Sequence, residues 1–299
     1  MRGIFTAPVT PFGANNKINE EALARLFEKN ITEDVAGFFV GGSSGECFLL
    51  SIEERMQLFE LAAKYKGNKK IIAHVGAIST DEAIAYGQEA KRLGFDGIAA
   101  TAPFYFKFSS AAVADYYYDI AKEVGMPVMV YNFPGNTGYE FDLGQEDIRA
   151  MFQSKAIWGV KHTNLNLYQM ERIKHLNPEL LIYNGFDEVL ISGLAIGADG
   201  AIGSTFNVMY PHYQKIKEMF EELRIDEARK LQSRANNIME AFCQVGLIPA
   251  IKHILTLQGI DAGAPRRPFK PLSTEQKRYI ETVWNKNIYL PHIKRRKKT

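Results

Sequence analysis

Short apolar runs alternate along this chain with longer stretches in which apolar residues recur every three or four positions, and the alternation continues from Gly3 to about residue 220. Such a pattern predicts repeated strand–helix units. The candidate strands are Gly3–Val9, Gly37–Gly42, Lys70–Gly76, Gly97–Pro103, Pro127–Pro134, Ile157–Thr163, Leu180–Gly185 and Gly200–Thr205. Runs such as Ile71-Ile72-Ala73-His74-Val75 and Val128-Met129-Val130 are apolar on both faces, as parallel strands buried between a core and a layer of helices require. Eight such units favour closure into a (β/α)₈ barrel, the TIM barrel. An open doubly wound sheet is the alternative. It lacks support, because Gly41-Gly42-Ser43-Ser44-Gly45 leads into Glu46-Cys47 and not into a dinucleotide fingerprint, and no ribose-binding acid follows at the required distance.

Beyond the eighth unit the pattern is purely helical, over Ile225–Val245, Leu247–Gln258 and Thr274–Ile288, with Gly259, Gly263 and Ala264-Pro265-Arg266-Arg267-Pro268 breaking it before the last helix. The expected organisation is a catalytic barrel over residues 1–224 and a C-terminal helical region over 225–299 packed on it. The run Lys294-Arg295-Arg296-Lys297-Lys298 reads as a solvated tail.

With 36 basic and 34 acidic residues the formal net charge is +2, so no general field favours nucleic acid or a membrane surface. Cys47 and Cys243 are too few for a disulfide framework, which suits a reducing, cytoplasmic compartment. Neither a signal peptide nor a membrane-spanning apolar run is expected.

In a (β/α)₈ barrel chemistry sits at the carboxyl ends of the strands. There this sequence places Thr10, Gly42-Ser43-Ser44-Gly45-Glu46, Tyr131-Asn132, Lys161-His162-Thr163, Gly185-Phe186-Asp187-Glu188 and Gly203-Ser204-Thr205. Alternation along Ile157-Trp158-Gly159-Val160-Lys161-His162-Thr163 puts Gly159, Lys161 and Thr163 on the inner face, and Trp158, Val160 and His162 on the outer one. In low dielectric the charged form of an amine is disfavoured, and a neutral amine attacks a ketone to give an imine. The protonated imine is an electron sink that lets a bond two carbons away break. A lysine paired with a buried carboxylate is the competing structural reading, and strand position alone does not separate the two. Tyr131 does, because it ends the neighbouring strand on the same side, where its phenol can move protons. The glycine–serine turn at Gly42–Gly45 offers backbone N–H groups and hydroxyls to a carboxylate.

Gly42-Ser43-Ser44-Gly45-Glu46, Tyr131-Asn132-Phe133-Pro134 with Thr137-Gly138, and Gly159-Val160-Lys161-His162-Thr163 together resemble the signatures of the Schiff-base aldolase family that includes dihydrodipicolinate synthase and N-acetylneuraminate lyase. The similarity runs from residue 3 to about 270. Tyr183-Asn184-Gly185-Phe186-Asp187-Glu188, Thr101-Ala102-Pro103-Phe104-Tyr105-Phe106 and Gly203-Ser204-Thr205-Phe206-Asn207 resemble the neuraminate branch. The resemblance implies an aldolase that cleaves N-acetylneuraminate to N-acetylmannosamine and pyruvate, with no cofactor other than the covalent Lys161 imine. It further implies that Ser43 and Ser44 bind the keto-acid carboxylate and that Tyr131 shuttles protons. Thr163 contacts the hydroxyl at the bond that breaks, while Gly185, Asp187, Glu188 and Ser204 grip the sugar tail. Tyr105 matches a tyrosine lent across a subunit interface, in a homo-oligomer that is a tetramer in the family's pattern.

Two residues depart from that pattern. Asn136 stands where the synthase branch has a carboxylate-binding arginine and the neuraminate branch an apolar residue, and Ser44 stands where threonine is commoner. The first argues against a dicarboxylate product and keeps open a shorter 2-keto-3-deoxy sugar acid; a silent barrel that only binds sugar acids is the remaining alternative. His74 reads as a satisfied core or near-site group, His162 faces outward, and with no histidines paired at ligand spacing no metal is expected. The partner is a small keto-acid sugar, not nucleic acid or a membrane.

Overall fold

The structure is a computed structural model, and it describes residues 1–289. The basic run at 294–298 lies outside the described residues. Eight parallel strands form the barrel: β1 (Gly3–Thr6), β2 (Gly37–Val40), β3 (Lys70–His74), β4 (Gly97–Thr101), β5 (Val128–Asn132), β6 (Ile157–His162), β7 (Leu181–Asn184) and β8 (Gly200–Gly203). They pair in sequence order, and β8 closes on β1 with Gly3 opposite Gly200 and Thr6 opposite Gly203. This is the TIM barrel that the pattern predicts.

Between the strands lie α1 (Glu20–Thr32), α2 (Ile52–Tyr65), α3 (Thr80–Arg92), α4 (Ser110–Val124), the short α5 (Pro134–Thr137), α6 (Glu146–Gln153), α7 (Leu167–Leu176) and α8 (Leu190–Ala195). After β8 come α9 (Phe206–Glu221), α10 (Ile225–Val245), α11 (Leu247–Leu257) and α12 (Thr274–Asn287). Six of the helices begin where the sequence supplies a short polar side chain for the free N–H groups of a first turn. Asn19, Ser51, Ser79, Ser109, Asn166 and Ser273 each accept such a bond, and Ser51 with Glu54 and Ser273 with Gln276 form full capping boxes.

Alternation divides the strand residues between two cores. Phe5, Phe39, Ile72, Ala99, Met129, Tyr131, Tyr183 and Ile202 fill the barrel interior, whereas Ile4, Phe38, Ile71, Ile98, Val130 and Val160 face the helices. Phe38 and Phe39 show the split directly. Phe38 stacks on Phe27 of α1 at 4.2 Å, and Phe39 meets Tyr131 edge-on at 5.6 Å inside the barrel.

The apolar runs extend past the hydrogen-bonded ladder at the carboxyl ends, because Val9, Val75 and Ala102 remain buried after their strands have ended. Prolines at 8, 103 and 134 cannot donate to a ladder, and the chain there turns toward its helix. One inner-versus-outer assignment is corrected. Trp158 was expected outside, but β6 carries one extra residue opposite β5: Ile157 pairs with Val128 and Gly159 with Met129. That irregularity turns Trp158 toward the interior cluster, where its indole N–H donates to the Ile98 carbonyl at 3.1 Å. Alternation resumes at Gly159, so Lys161 pairs with Tyr131 in the β5–β6 register.

The helices after β8 are docked on the barrel by charge as well as by packing. Lys252 of α11 and Glu46, both fully buried, form an ion pair at 2.7 Å. Glu46 also accepts the Arg266 backbone N–H at 2.7 Å, while the Arg266 guanidinium grips Glu54 and donates to the Leu49 and Asn16 carbonyls. Burial holds the Lys252 ammonium below the usual lysine range, with Glu46 opposing that shift. Replacing Lys252 leaves the buried Glu46 carboxylate with the Arg266 backbone N–H but no neutralising lysine. Lys252→Met should therefore cost about 3–5 kcal/mol in urea unfolding, and near-native stability would show that the pair does not hold the C-terminal helices.

Candidate active site

Lys161 stands one residue before the end of β6 and is 4% exposed. Its Nζ lies 3.9 Å from the centroid of the Tyr131 ring and 4.5 Å from that of Phe39. Among the described residues no carboxylate pairs with it and no group hydrogen-bonds to it, so the competing picture of a lysine tied to a buried acid does not describe this site. An amine at a strand's carboxyl end, walled by aromatic rings, is placed to meet a carbonyl carbon.

Tyr131 is wedged among rings: edge-on to Phe39 and His74, each at 5.6 Å, and stacked on Phe133 at 5.7 Å. Its hydroxyl lies 3.4 Å from Ser43 Oγ. Ser43 opens a 3-10 turn, Ser43–Gly45, in which the N–H groups of Gly45, Glu46 and Cys47 return to the Gly42 and Ser43 carbonyls. Thr10 Oγ1 donates to the Gly45 carbonyl at 2.6 Å and fixes the far side of that turn.

His74, fully buried behind Tyr131, has Nδ1 at 2.9 Å from the Gly41 carbonyl, to which it can only donate, and its Nε2 accepts the Thr101 N–H at 3.3 Å. Burial and then the Arg55 charge hold this imidazole well below the usual histidine range, so it is neutral. It is the satisfied near-site group the sequence indicates. Arg55, which sequence reasoning missed, is a buried cation that donates to the Gly76 and His74 carbonyls at 3.1 and 2.6 Å and lies over the Tyr86 ring. His162 faces outward as expected, beside Asn132, and burial lowers it to about 4.

The opposite wall comes from the ends of β6, β7 and β8. Thr163 Oγ1 is buried without a partner. A Cβ on Gly185 would come within 2.0 Å of that oxygen, so only glycine lets the end of β7 pass there. Asp187 is 2% exposed, and its Oδ2 accepts the Thr205 N–H at 2.9 Å and the Thr205 hydroxyl at 2.5 Å. Oδ1 turns toward Gly203, where a Cβ would sit 2.0 Å away. Burial pushes Asp187 up to about 6, against the hydrogen bonds from Thr205, and burial also raises Glu188, one of whose carboxylate oxygens is buried without a partner. The pair is therefore not a solvated start to the next helix. It divides into one acid already half engaged and one with a free oxygen.

These groups converge on a cavity of about 310 Å³ lined by Ser43, Ser44, Tyr131, Lys161, Thr163, Gly185, Asp187, Glu188 and Ser204, with Asn136 among them. Tyr105 is not brought in: it is 84% exposed, in a left-handed conformation at φ 76°, outside the cavity of its own chain. Sequence reasoning missed Met239 and Cys243 of α10, Leu247 and Ile248 of α11, and Phe133, Phe186 and Phe269, all of which line the cavity. Nothing separates an apolar wall residue from an apolar core residue at the same helical spacing. A larger groove of about 980 Å³, between the Phe12–Asn19 and Asp261–Pro271 segments, shares Phe269 with the cavity but contains none of the strand-end groups. Among the described residues no three His, Cys, Asp or Glu side chains are grouped to hold a metal ion, and no single helix is long and apolar enough to cross a membrane.

The fold is a closed eight-stranded barrel whose cavity sets one amine, Lys161, among the same lining as two acids, Asp187 and Glu188. The dihydrodipicolinate synthetase family matches residues 1–286, and the chain belongs to it. Solved structures agree over nearly the whole length. The Clostridium difficile protein CdNal in complex with mannosamine is 35% identical with a TM-score of 0.92, covering 96% of this chain and 99% of that one. N-acetylneuraminate lyase from Fusobacterium nucleatum is 37% identical with a TM-score of 0.90, covering 97% and 99%. Ruminococcus gnavus sialic acid aldolase is 30% identical with a TM-score of 0.89, covering 96% and 99%. The chain is accordingly a carbon–carbon lyase of the oxo-acid lyase type.

The raised Asp187 has a consequence for stability. The folded state holds its proton more tightly than the unfolded chain, so the associated stability is fully present below the ordinary aspartate value and is lost as pH rises through about 6. Asp187→Asn keeps an acceptor for Thr205 and removes the titration. The unfolding free energy of the native chain minus that of this variant should fall by about 2 kcal/mol between about pH 4 and about pH 7. A constant difference would mean that Asp187 titrates as an ordinary carboxylate.

Proposed function

We propose that this chain cleaves N-acetylneuraminate to N-acetylmannosamine and pyruvate through an imine on Lys161. The observation that carries the reading is the charge layout of the cavity: one unpaired amine, Lys161, at its aromatic end, Asp187 and Glu188 at its other end, and no second cation among the lining residues. Relatives named N-acetylneuraminate lyase or sialic acid aldolase support the substrate.

In this reading Ser43 and Ser44 hold the substrate carboxylate by hydroxyl and backbone N–H groups, which sets the keto carbon against Lys161 Nζ. Attack gives a carbinolamine, and loss of water, with the proton supplied through the Tyr131 hydroxyl, gives the protonated imine. The Ser43 contact orients that hydroxyl. The Tyr131 oxygen, left without its proton by the loss of water, takes the proton of the hydroxyl beside Thr163 as the carbon–carbon bond breaks and its electron pair moves into the imine, leaving an enamine and a free aldehyde sugar. Protonation of the enamine and hydrolysis then release pyruvate and restore the amine. Gly185, Asp187, Glu188 and Ser204 hold the sugar tail: Asp187 through the oxygen that Thr205 leaves free, and Glu188 through its unpartnered oxygen. The imine supplies the electron sink, so the chemistry requires no further cofactor. The reading also carries a cytoplasmic enzyme and a homotetramer in which exposed Tyr105, with Phe106 and Phe108 beside it, serves the neighbouring subunit.

Asn136 favours one second reading, a shorter 2-keto-3-deoxy sugar acid, because an amide in the cavity wall can bond a hydroxyl that an apolar residue would not. The synthase reading is weaker, since a second carboxylate would meet two acids and no arginine. Pyruvate release should be measured on N-acetylneuraminate and on five- and six-carbon keto-deoxy acids; preference for a shorter acid replaces the first reading with the second.

Pyruvate with borohydride should add a reduced three-carbon adduct to the peptide containing Lys161, and an adduct on another lysine would defeat the mechanism. Tyr131→Phe keeps the ring contacts and removes the hydroxyl, so kcat should fall by about 10²-fold or more with little change in Tm. Near-native kcat would make Tyr131 only a packing residue.

A further inference from the structure

We infer that Gln232 and Asn236 of α10 are positioning residues for substrate specificity, holding the Asp187-Glu188 turn so that its carboxylates meet the sugar tail. The inference rests on the function proposed above and extends it to side chains outside the cavity lining.

The two acids lie in a 3-10 turn, Asp187–Val189, that has no side-chain cap at its start. Asp187 is tied to the barrel through Thr205, but among the described residues no side chain holds the Glu188 carboxylate. Its direction is therefore set by its backbone. That backbone is held from α10: the Gln232 side-chain amide donates to the Asp187 carbonyl at 3.1 Å, and the Asn236 amide donates to the Glu188 carbonyl at 3.0 Å. Gln232 donates in addition to Asn236 Oδ1 at 2.9 Å and accepts the Ile191 N–H at 3.4 Å, so the two amides form one unit that spans the turn and the start of α8. Residues 232, 236, 239 and 243 follow one another at spacings of four, three and four, which puts them on one face of a helix. Met239 and Cys243 of that face reach the cavity itself. A single face of α10 thus supplies both the wall beside the tail and the bonds that aim the acids at it.

The test uses the full chain. Asn236→Leu and Gln232→Met remove the donors at nearly constant volume. Each should raise KM for N-acetylneuraminate by roughly five- to tenfold with kcat changed by less than about twofold, while borohydride trapping of pyruvate on Lys161 keeps its concentration dependence. In a Glu188→Gln background Asn236→Leu should add no further loss, because it acts through that carboxylate. Equal losses in kcat and in imine trapping, additive losses in the double variant, or native KM in both single variants would each overturn the assignment. A native chain that traps pyruvate but releases none from N-acetylneuraminate would overturn the substrate reading and this inference together, whereas native cleavage with unaffected variants would sink the positioning role alone.

Discussion

An amine enclosed by aromatic rings, with no carboxylate to tie it among the described residues, is the constraint around which this molecule is arranged. A closed barrel forces alternate residues of every strand inward, where there is room only for close-packed side chains, and the Lys161 side chain must share that space with Tyr131 and Phe39. The rings enclose the Lys161 side chain at 3.9 and 4.5 Å and leave its nitrogen untied. The β5–β6 pairing then sets the lysine and the tyrosine side by side on adjacent strands, so the distance between nitrogen and phenol is fixed by the barrel ladder and not by a mobile loop.

Charge near this amine is handled by separation. Arg55 is buried behind His74 with its bonds spent on carbonyls, and His74 is kept neutral, so the space behind Tyr131 holds a fixed cation but no group that titrates near neutrality. Glu46 and Lys252 neutralise each other away from the cavity, and Arg266 is occupied by Glu54. What remains for a ligand in the cavity is the Lys161 amine and the two acids. A substrate with a carboxylate at its head and hydroxyls along its tail complements both, whereas a second anionic group would be repelled by the acids.

The barrel was legible because its signal is repeated: eight apolar runs with intervening helical periodicity make one misread strand inconsequential. Strand ends were less so, since burial continues where hydrogen bonding stops, as at Val9 and Ala102. Trp158 escaped because one extra residue in β6 reverses its side without altering the local pattern of polar and apolar residues. Lys161, Tyr131, Ser43, Thr163 and Asp187 could be found because polar residues at barrel strand ends have few structural uses. Arg55 could not, since its role depends on which carbonyls it meets, and Met239, Cys243 and Phe269 looked like any other buried or loop residue. Tyr105 is singled out only through resemblance, because in this chain it is exposed and, among the described residues, its ring meets only the neighbouring Phe106.

That division has a physical basis with consequences for specificity. The lysine end of the cavity is built on β5 and β6, which pair through Tyr131 and Lys161, so changing it means disturbing the barrel ladder. Beside the strand-end groups of the opposite wall stand side chains of α10, α11 and the segment around Phe269, elements that pack on the barrel through side chains. Substitution there changes shape or hydrogen bonding at the tail while Lys161 and Tyr131 keep their register. Asn136 sits at the junction of the two regions, just after β5 but outside the ladder, where an amide replaces the residue types of both branches without moving Tyr131. The strand positions of Lys161 and Tyr131 can thus be kept while the helix-borne part of the wall is altered.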